Sequence, residues 1–316
     1  MREPAFVQRF VADAAAVRQE LLRGLASSPA RVAPKFFYDL LGSRLFDAIT
    51  ALDEYYPTRT EAALFAAHAG DMARACGTGR PLVDLGAGNC AKAASLFPAL
   101  APSQYVAVDI SVDFLRDALT ALQQRHPALP MLGLGLDFSA ALDLPDAVMP
   151  APRTLFYPGS SIGNFTPDEA LALLRRMHAA CDGGALLIGV DGVKDTAVLE
   201  AAYDDPLGVT AAFNLNLLRH VNALIGSDFD PRRWRHVAFF DAAASRIEMH
   251  LEAREAQTVC WPGGERRFAA GERVHTENSC KYLPGDFEAL LHDAGFRRAR
   301  RWSDDRGWFH VFAAQA

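Results

Sequence analysis

The chain has 316 residues, half of them hydrophobic, and a formal net charge of −6. This length and composition are those of a globular protein with one large core or two modest ones, and the negative charge argues against a general nucleic-acid-binding surface. The five cysteines are widely spaced and include no C-x-x-C pair, which argues against a disulfide framework or a zinc cluster and suits a reducing cytosol. The N-terminus lacks the apolar centre of a signal peptide, and no apolar run approaches membrane-spanning length. We therefore expect a monomeric cytoplasmic protein without a membrane or nucleic-acid partner.

The first predicted elements are helices rich in apolar residues. Apolar side chains at helical spacing predict an amphipathic helix over residues 7–27. A second helical stretch, residues 34–65, is dense in aromatic residues, which usually build a core. The hydroxyls of Tyr38, Tyr55 and Tyr56 can instead face a pocket, so these tyrosines are candidates for binding polar groups.

The stretch PLVDLGAGNCAKAA, residues 81–94, is predicted to fold as a strand, a tight glycine turn and a helix. Gly86 and Gly88 allow backbone angles and a close ligand approach that a Cβ would block. The helix start that follows offers unpaired N–H groups. A nucleotide-like cofactor is the expected occupant of this turn.

The identity of that cofactor depends on a nearby carboxylate. Gly86-x-Gly88-x-x-Ala91 satisfies the dinucleotide fingerprint, so NAD remains an alternative. Asp84 is expected at the carboxyl end of the strand, where it would repel a pyrophosphate and attract the ammonium or sulfonium group of S-adenosylmethionine. Another interpretation is that Asp84 only caps the turn. The carboxylate favours S-adenosylmethionine.

Two further strands end in residues suited to an adenosine group. The strand at 104–110 places Asp109 about twenty residues after Gly88, where an acidic side chain takes ribose hydroxyls in either cofactor hypothesis. The next strand, residues 131–136, is followed by Asp137 and Phe138. A carboxylate there can accept from the adenine amino group, and the ring can lie along the base.

The alternation of strands and helices predicts the fold. Five strands alternate with helices between residues 80 and 190, which indicates a parallel, doubly wound sheet. Residues 191–280 depart from this pattern, with a helix and then strands, among them 245–259, in which Met249 belongs to an apolar alternation. From residue 281 a helix and a closing hairpin follow. The prediction is an α/β class I methyltransferase fold, a Rossmann-like sheet with a closing antiparallel hairpin, plus a second α+β domain.

Several motifs occur in order along nearly the whole chain: FFYDLLGSRLFDAIT, EYYPTRTE, LVDLGAGNCAK, GSSIGNF, AYDDPLGVTAAFNLN and VHTENSCKY. Together they resemble the histidine Nα-methyltransferases of ergothioneine biosynthesis. The resemblance implies S-adenosylmethionine as the methyl donor and the α-amine of L-histidine as the acceptor, methylated up to the trimethyl betaine hercynine. It also implies two domains: a cofactor domain of residues 61–195 and 281–316, and a substrate-binding or lid domain of residues 1–60 and 196–280.

The resemblance also assigns site residues position by position, both within these motifs and between them. The cofactor residues that it implies are Gly86, Lys92, Asp109, Asp137 and Phe138. They join Asp84 and Gly88, which the glycine turn itself makes candidates. The residues implied to hold the backbone end of the amino acid are Tyr56, Asn164 and Tyr203. Those implied to bind the imidazole are Glu277 and Ser279, with Tyr38 and Met249 lining the same pocket.

The chemistry of an imidazole agrees with the last assignment. Glu277 and Ser279 are one residue apart, so they share a face if their segment is extended. A carboxylate that accepts the imidazole proton and a hydroxyl that serves the other nitrogen form a selective pair, because leaving either unpaired is costly. Such a pair would reject apolar side chains.

The reaction is hypothesised to be an in-line displacement in which the neutral α-amine attacks the sulfonium methyl group, with catalysis mainly from orientation and desolvation. The amine must lose a proton after each transfer, and water or the hydroxyl of Tyr38 or Tyr56 can relay it. With Asn164, these tyrosines are the expected catalytic residues. The nine histidines show no paired ligand spacing with a carboxylate, so no metal is expected.

Three alternative functions stay open on the sequence. One is methylation of another amino acid, such as tryptophan or a histidine derivative. Another is an NAD-dependent oxidoreductase, because of the glycine fingerprint. The third is a regulator that binds S-adenosylmethionine and transfers nothing.

Overall fold

The structure is a computed structural model that describes residues 2–9, 13–110, 112–150 and 152–316. The strands of the described chain are β1 (Ala5–Gln8), β2 (Ala30–Arg31), β3 (Leu82–Leu85), β4 (Tyr105–Asp109), β5 (Met131–Gly135), β6 (Thr154–Tyr157), β7 (Ala185–Asp191), β8 (Trp234–Asp241), β9 (Arg246–Ala253), β10 (Gln257–Trp261), β11 (Gly264–Phe268), β12 (Arg273–Cys280), β13 (Arg297–Ser303) and β14 (Phe309–Gln315). Its α-helices are α1 (Ala14–Ala26), α2 (Leu40–Ile49), α3 (Tyr56–Cys76), α4 (Ala91–Leu100), α5 (Val112–Arg125), α6 (Pro167–Cys181), α7 (Thr196–Ala201), α8 (Val209–Ile225) and α9 (Pro284–Asp293). Short 3-10 helices occupy Pro34–Phe37, Ser161–Asn164 and Pro231–Arg233.

The described residues fold as two units, each built from separate stretches of chain. The first unit takes the described residues within Met1–Val11, Pro57–Val193 and Lys281–Ala316. The second takes those within Ala12–Tyr56 and Lys194–Cys280. No helix of the described chain combines the length and the apolarity needed to cross a membrane.

The first unit is built on an eight-stranded sheet with the order β1-β5-β4-β3-β6-β7-β14-β13. Strands β1, β3, β4, β5, β6 and β7 pair in parallel. Strand β14 is antiparallel to both β7 and β13. The predicted mostly parallel α/β sheet with its closing antiparallel hairpin is confirmed.

The central strands are apolar along their whole length because both faces of the sheet are covered. All four residues of β3 are buried. Val83 and Leu85 pack into one hydrophobic cluster, and Leu82 packs into the other. Since successive side chains of a strand point to opposite faces, Asp84 lies on the face of Leu82. This alternation decides which residues can reach the Asp84 carboxylate.

The second unit contains a four-stranded sheet with the order β2-β12-β9-β8 and a separate β10–β11 hairpin. Strands β8, β9 and β12 are antiparallel neighbours, whereas β2 pairs in parallel with β12. Ile247, Met249 and Leu251 of β9 are buried, which confirms the predicted apolar alternation of this strand. Among the helices of this unit, α8 carries Phe213, whose ring stacks on Phe37 with centroids 4.5 Å apart.

Two predicted elements have different bounds. The helix predicted over residues 7–27 begins only at Ala14, after an Asp13 cap whose carboxylate accepts from the Ala15 amide at 2.9 Å. Residues 10–12 lie outside the described part of the chain. Strand β1 precedes that gap and pairs with β5 at the edge of the sheet. An open sheet edge binds such a strand through backbone hydrogen bonds, and these leave no sign in the helical periodicity of the sequence. The strand predicted over 245–259 is divided into β9 and β10.

Candidate active site

The glycine turn after β3 has the backbone conformation that its sequence predicts. Gly86 has φ +73° and Gly88 has φ +51°, in the left-handed region that favours glycine. The amides of Gly86 and Ala87 donate to the Val108 carbonyl at 2.9 and 3.0 Å, which ties the turn to β4. A Cβ built on Gly86 meets no atom of the described chain within 4 Å. The turn therefore has open space beside Gly86 that a ligand can occupy.

Asp84 is buried beside this turn and has one hydrogen-bonded oxygen. Its Oδ2 accepts from the hydroxyl of Tyr105 at 2.7 Å, and both side chains are at most 1% exposed. Its Oδ1 has no hydrogen-bond partner within the described residues. Because Leu82 pairs with Tyr105 in adjacent strands, Tyr105 lies on the same face as Asp84. The interpretation of Asp84 as a cap of the turn is wrong, since its carboxylate bonds to Tyr105.

The electrostatic environment of Asp84 favours a cationic ligand. Burial raises the pKa of Asp84 to about 7, and the hydrogen bond from Tyr105 acts in the opposite direction. Asp109 and Glu61 raise this pKa further, whereas Lys92 lowers it. A positive group at the unpartnered oxygen would stabilise the carboxylate. The open turn at Gly86 and the negative charge beside it fit a nucleotide-bearing cation such as S-adenosylmethionine.

Asp109 and Asp137 follow neighbouring strands at the same edge of the sheet. Asp109 ends β4, and its Oδ2 accepts from the Gly88 amide at 3.1 Å. Asp137 follows β5, and its Oδ1 accepts from both the amide and the hydroxyl of Ser139. The Phe138 ring meets Tyr157 edge-on with centroids 5.7 Å apart. Hydrogen bonds from nearby backbone amides thus hold both carboxylates in place within the first unit.

Lys92 has a buried acidic partner that the sequence analysis did not single out. The Lys92 ammonium lies 2.6 Å from Oε2 of Glu61, which is fully buried. The other carboxylate oxygen of Glu61 accepts from the Gly159 amide at 2.8 Å. The available signal was the position of Glu61 at the end of the EYYPTRTE motif.

In the second unit, a β-bulge in β12 decides which side chains face Met249. Val274 pairs with Leu251, but the register shifts between His275 and Glu277, so that Glu277 pairs with Met249 and Ser279 pairs with Ile247. Strict alternation would place Thr276 on the face of Val274; the bulge places Glu277 there instead. Glu277 and Ser279 are both buried. The expectation that they share a face is confirmed, and Met249 shares it.

Tyr203 is joined to Ser279 and held by residues that sequence analysis missed. Its hydroxyl lies 2.7 Å from the Ser279 hydroxyl. Its carbonyl accepts from Nε2 of His236 at 2.8 Å, while Nδ1 of His236 accepts from Asn214 at 2.8 Å. An amide NH2 group can only donate, so this pairing fixes the tautomer of His236. Burial lowers the pKa of His236, which favours the neutral ring that these contacts need.

The remaining tyrosines are placed by contacts within the second unit. The Tyr56 hydroxyl accepts from the Lys194 ammonium at 2.7 Å. Tyr38 is half-buried, and its ring meets Phe46 and Phe213 edge-on at 5.7 and 5.9 Å. Asn164 belongs to the first unit, where it ends the 3-10 helix Ser161–Asn164 and is half-buried.

Comparison with known proteins identifies the family. Residues 17–316 match the family described as "Histidine-specific methyltransferase, SAM-dependent". The histidine N-alpha-methyltransferase of Mycolicibacterium smegmatis is 39% identical over 308 residues, covering 95% of each chain. Its counterpart from Mycobacterium tuberculosis is 39% identical over 307 residues, covering 95% of this chain and 94% of that protein. Ergothioneine biosynthesis protein 1 of Neurospora crassa is 30% identical over 286 residues, covering 87% of this chain and 32% of that protein. The predicted family resemblance is confirmed: the chain belongs to the S-adenosylmethionine-dependent histidine-specific methyltransferases.

Proposed function

We propose that this enzyme methylates the α-amine of free L-histidine, up to the trimethyl betaine hercynine, as a step of ergothioneine biosynthesis. One observation carries the choice of acceptor: the bulge in β12 places a buried carboxylate, Glu277, and a buried hydroxyl, Ser279, on one face with Met249. An imidazole needs such a pair, because each of its nitrogens seeks a partner when it is buried. The names of the two mycobacterial relatives and of the Neurospora protein support the same substrate and pathway.

The cofactor is held, in this proposal, by the glycine turn and the carboxylates around it. Bound S-adenosylmethionine supplies an electrophilic methyl group on a positively charged sulfur. Asp84 provides a buried negative charge near a cationic group, and Lys92 provides a positive charge for a carboxylate. The residues proposed to hold the cofactor are Asp84, Gly86, Gly88, Lys92, Asp109, Asp137 and Phe138.

The acceptor is bound by a second set of residues. Glu277 accepts a hydrogen bond from the imidazole N–H, and the Ser279 hydroxyl bonds to the other ring nitrogen. A hydroxyl can donate one hydrogen bond and accept two, so Ser279 can hold Tyr203 and the imidazole together. Met249 and Tyr38 add apolar contact to the ring. The residues proposed to bind the backbone end of the amino acid are Tyr56, Asn164 and Tyr203.

The protein contributes to the reaction through orientation and proton handling. Binding both ends of the amino acid fixes the orientation of its amine toward the methyl group. The entropy cost of bringing the two groups together is then met on binding and not in the reaction step. Lys194 donates to the Tyr56 oxygen, so the single proton of that hydroxyl points away from Lys194. Tyr38 or Tyr56 then passes the proton released by the amine to water.

We further propose that the enzyme acts as a monomer in the cytoplasm, on a small molecule and without a nucleic-acid partner. All five cysteines lie in the described ranges and carry free thiols, as suits a reducing compartment. Size-exclusion chromatography with light scattering tests the monomer, and a dimer mass would overturn it.

The deciding experiment incubates the protein with S-adenosylmethionine and a mixture of free amino acids that includes histidine, tryptophan and N-methylated histidines. Mass spectrometry then looks for additions of one, two or three methyl groups. Growth of the trimethylated histidine supports the proposal. Methylation of tryptophan with histidine unchanged would overturn the imidazole assignment, and cofactor binding without any transfer would favour a regulator.

A further inference from the structure

Glu61 carries a buried carboxylate in the first unit to which the proposed function gives no role. It lies in the second turn of α3, and its side chain is fully buried. Its oxygens contact two different segments: Oε2 pairs with the Lys92 ammonium of α4 at 2.6 Å, and Oε1 accepts from the Gly159 amide at 2.8 Å. Gly159 precedes the 3-10 helix that ends at Asn164. One carboxylate thus joins the lysine proposed for the cofactor to the loop proposed for the acceptor.

Gly189 and Gly159 leave room for the Glu61–Lys92 pair because neither has a side chain. A Cβ on Gly189 of β7 would overlap the Glu61 carboxylate. A Cβ on Gly159 would lie 3.2 Å from the Lys92 ammonium, and Gly159 has φ +78°, in the left-handed region. The neighbouring backbone therefore has room for a charged pair at this point.

The two members of the pair differ in exposure, and this difference points to their roles. The Lys92 side chain is 33% exposed, whereas the Glu61 side chain is 0% exposed. An ammonium group has three N–H donors, so Lys92 can keep Glu61 and still donate to a ligand. A long lysine side chain loses much rotational freedom when it binds, and a fixed partner reduces that loss.

We propose that Glu61 is a positioning residue that holds Lys92 in the direction of the cofactor and holds the loop of residues 159–164 for the acceptor. This inference rests on the proposed roles of Lys92 and Asn164. Glu61 acts through these two residues and touches neither reactant.

The test is a double-mutant cycle on cofactor binding. Calorimetry measures the Kd of S-adenosylhomocysteine for the unmodified enzyme, Lys92→Met, Glu61→Gln and the double variant. Glutamine keeps an oxygen for the Gly159 amide but turns an NH2 group toward the Lys92 ammonium. We expect each single variant to weaken binding about tenfold. In the Lys92→Met background, Glu61→Gln should have no further effect.

A second readout separates the loop from the lysine. Glu61→Ala removes both contacts, so it should raise the KM for histidine, whereas Glu61→Gln should restore that KM to the unmodified value. Asp71→Asn is the matched control: Asp71 lies on the same helix and pairs with Arg74 and Arg300 instead of Lys92. It should leave both the Kd and the KM unchanged.

Each contrary outcome has a distinct meaning. If Lys92→Met binds S-adenosylhomocysteine normally, the cofactor role of Lys92 fails, and the role of Glu61 fails with it. If Lys92→Met binds weakly but Glu61→Gln weakens binding further in the double variant, only the positioning role of Glu61 is overturned. The double variant carries neither charge of the pair, so its comparison with Lys92→Met still decides the question if Glu61→Gln alone does not fold.

Discussion

The hydroxyls of Tyr203 and Ser279 lie 2.7 Å apart in the interior of the second unit, although 76 residues separate them in the chain. Tyr203 follows α7, whereas Ser279 lies near the end of β12. The tyrosine backbone is held in turn by His236 of β8. This contact links the two proposed ends of the histidine site, the imidazole end and the backbone end.

Breaking that contact should weaken histidine binding from either side. We expect Tyr203→Phe and Ser279→Ala each to cost about 1 kcal/mol in histidine binding, since each removes one hydrogen bond of the pair. Because the two groups bond to each other, the double variant should lose less than the sum, with a coupling of about 0.5 kcal/mol or more. Steady-state KM values for histidine provide the measurement. Strictly additive losses would show that the contact has no part in acceptor binding.

Removing the carboxylate from β12 should reduce affinity for histidine in particular. We expect Glu277→Ala to weaken histidine binding by about 1–3 kcal/mol, the usual cost of an unpaired buried polar partner. The control is Asn278→Ala, because Asn278 pairs in register with Glu248 on the opposite face and bonds to His275. Isothermal titration of histidine in the presence of S-adenosylhomocysteine measures both variants. An unchanged affinity in Glu277→Ala would remove Glu277 from the site.

The pH dependence of cofactor binding should reflect the ionisation of Asp84. Its carboxyl is mostly neutral below a pKa of about 7 and charged above it, and a cationic ligand favours the charged form. Affinity for S-adenosylmethionine should therefore rise as the pH increases through about 7. Asp84→Asn should bind more weakly at the higher pH and lose this dependence. The same slope in both proteins would exclude Asp84 as its source.

The stability of the ligand-free enzyme should change with pH in the opposite sense. The folded-state pKa of Asp84, about 7, lies above the ordinary value of 3.8. The folded state therefore binds the proton more tightly than the unfolded chain. This contribution is fully present below the ordinary pKa and is lost as the pH rises through about 7. Urea unfolding across this range should show a smaller decline for Asp84→Asn than for the unmodified protein.

Gly86 and Gly79 have nearly the same φ angle, so substitutions at both can distinguish backbone strain from loss of ligand binding. Gly86 has φ +73° and Gly79 has φ +72°, and a Cβ on either meets no atom of the described chain within 4 Å. We expect Gly86→Ala and Gly79→Ala to lose similar stability, about 1–2 kcal/mol, from left-handed strain. Only Gly86→Ala should lose cofactor affinity, because only its Cβ enters the proposed cofactor site. Equal cofactor affinities in the two variants would contradict that placement.

Local patterns were enough to predict most elements of the first unit. A tight turn between a strand and a helix needs glycine at Gly86 and Gly88, and the observed angles are those that glycine tolerates best. The alternation of Ile247, Met249 and Leu251 likewise predicted the buried face of β9. The motifs predicted the family because each combines several residues at fixed spacing. The roles of the individual site residues stay predictions.

Contacts between distant segments could be decided only by the folded chain. Nothing near Asp84 in the sequence indicates Tyr105, since their contact depends on the register of two parallel strands. Nor does the order of residues reveal that Glu61 is buried between Lys92 and Gly159. Such contacts form when elements far apart in the chain pack together. Local propensity describes each segment by itself, so it does not predict which segments pack.

The β12 bulge shows the difference most directly. A spacing of two residues placed Glu277 and Ser279 on a common face of an extended strand, whichever face that was. Which face it is depends on one extra residue, because a register shift of one exchanges the two sides of a strand. The chain order therefore determined that the carboxylate and the hydroxyl share one face of the strand. The pairing of β12 with β9 determined that this pair faces Met249 in the buried layer.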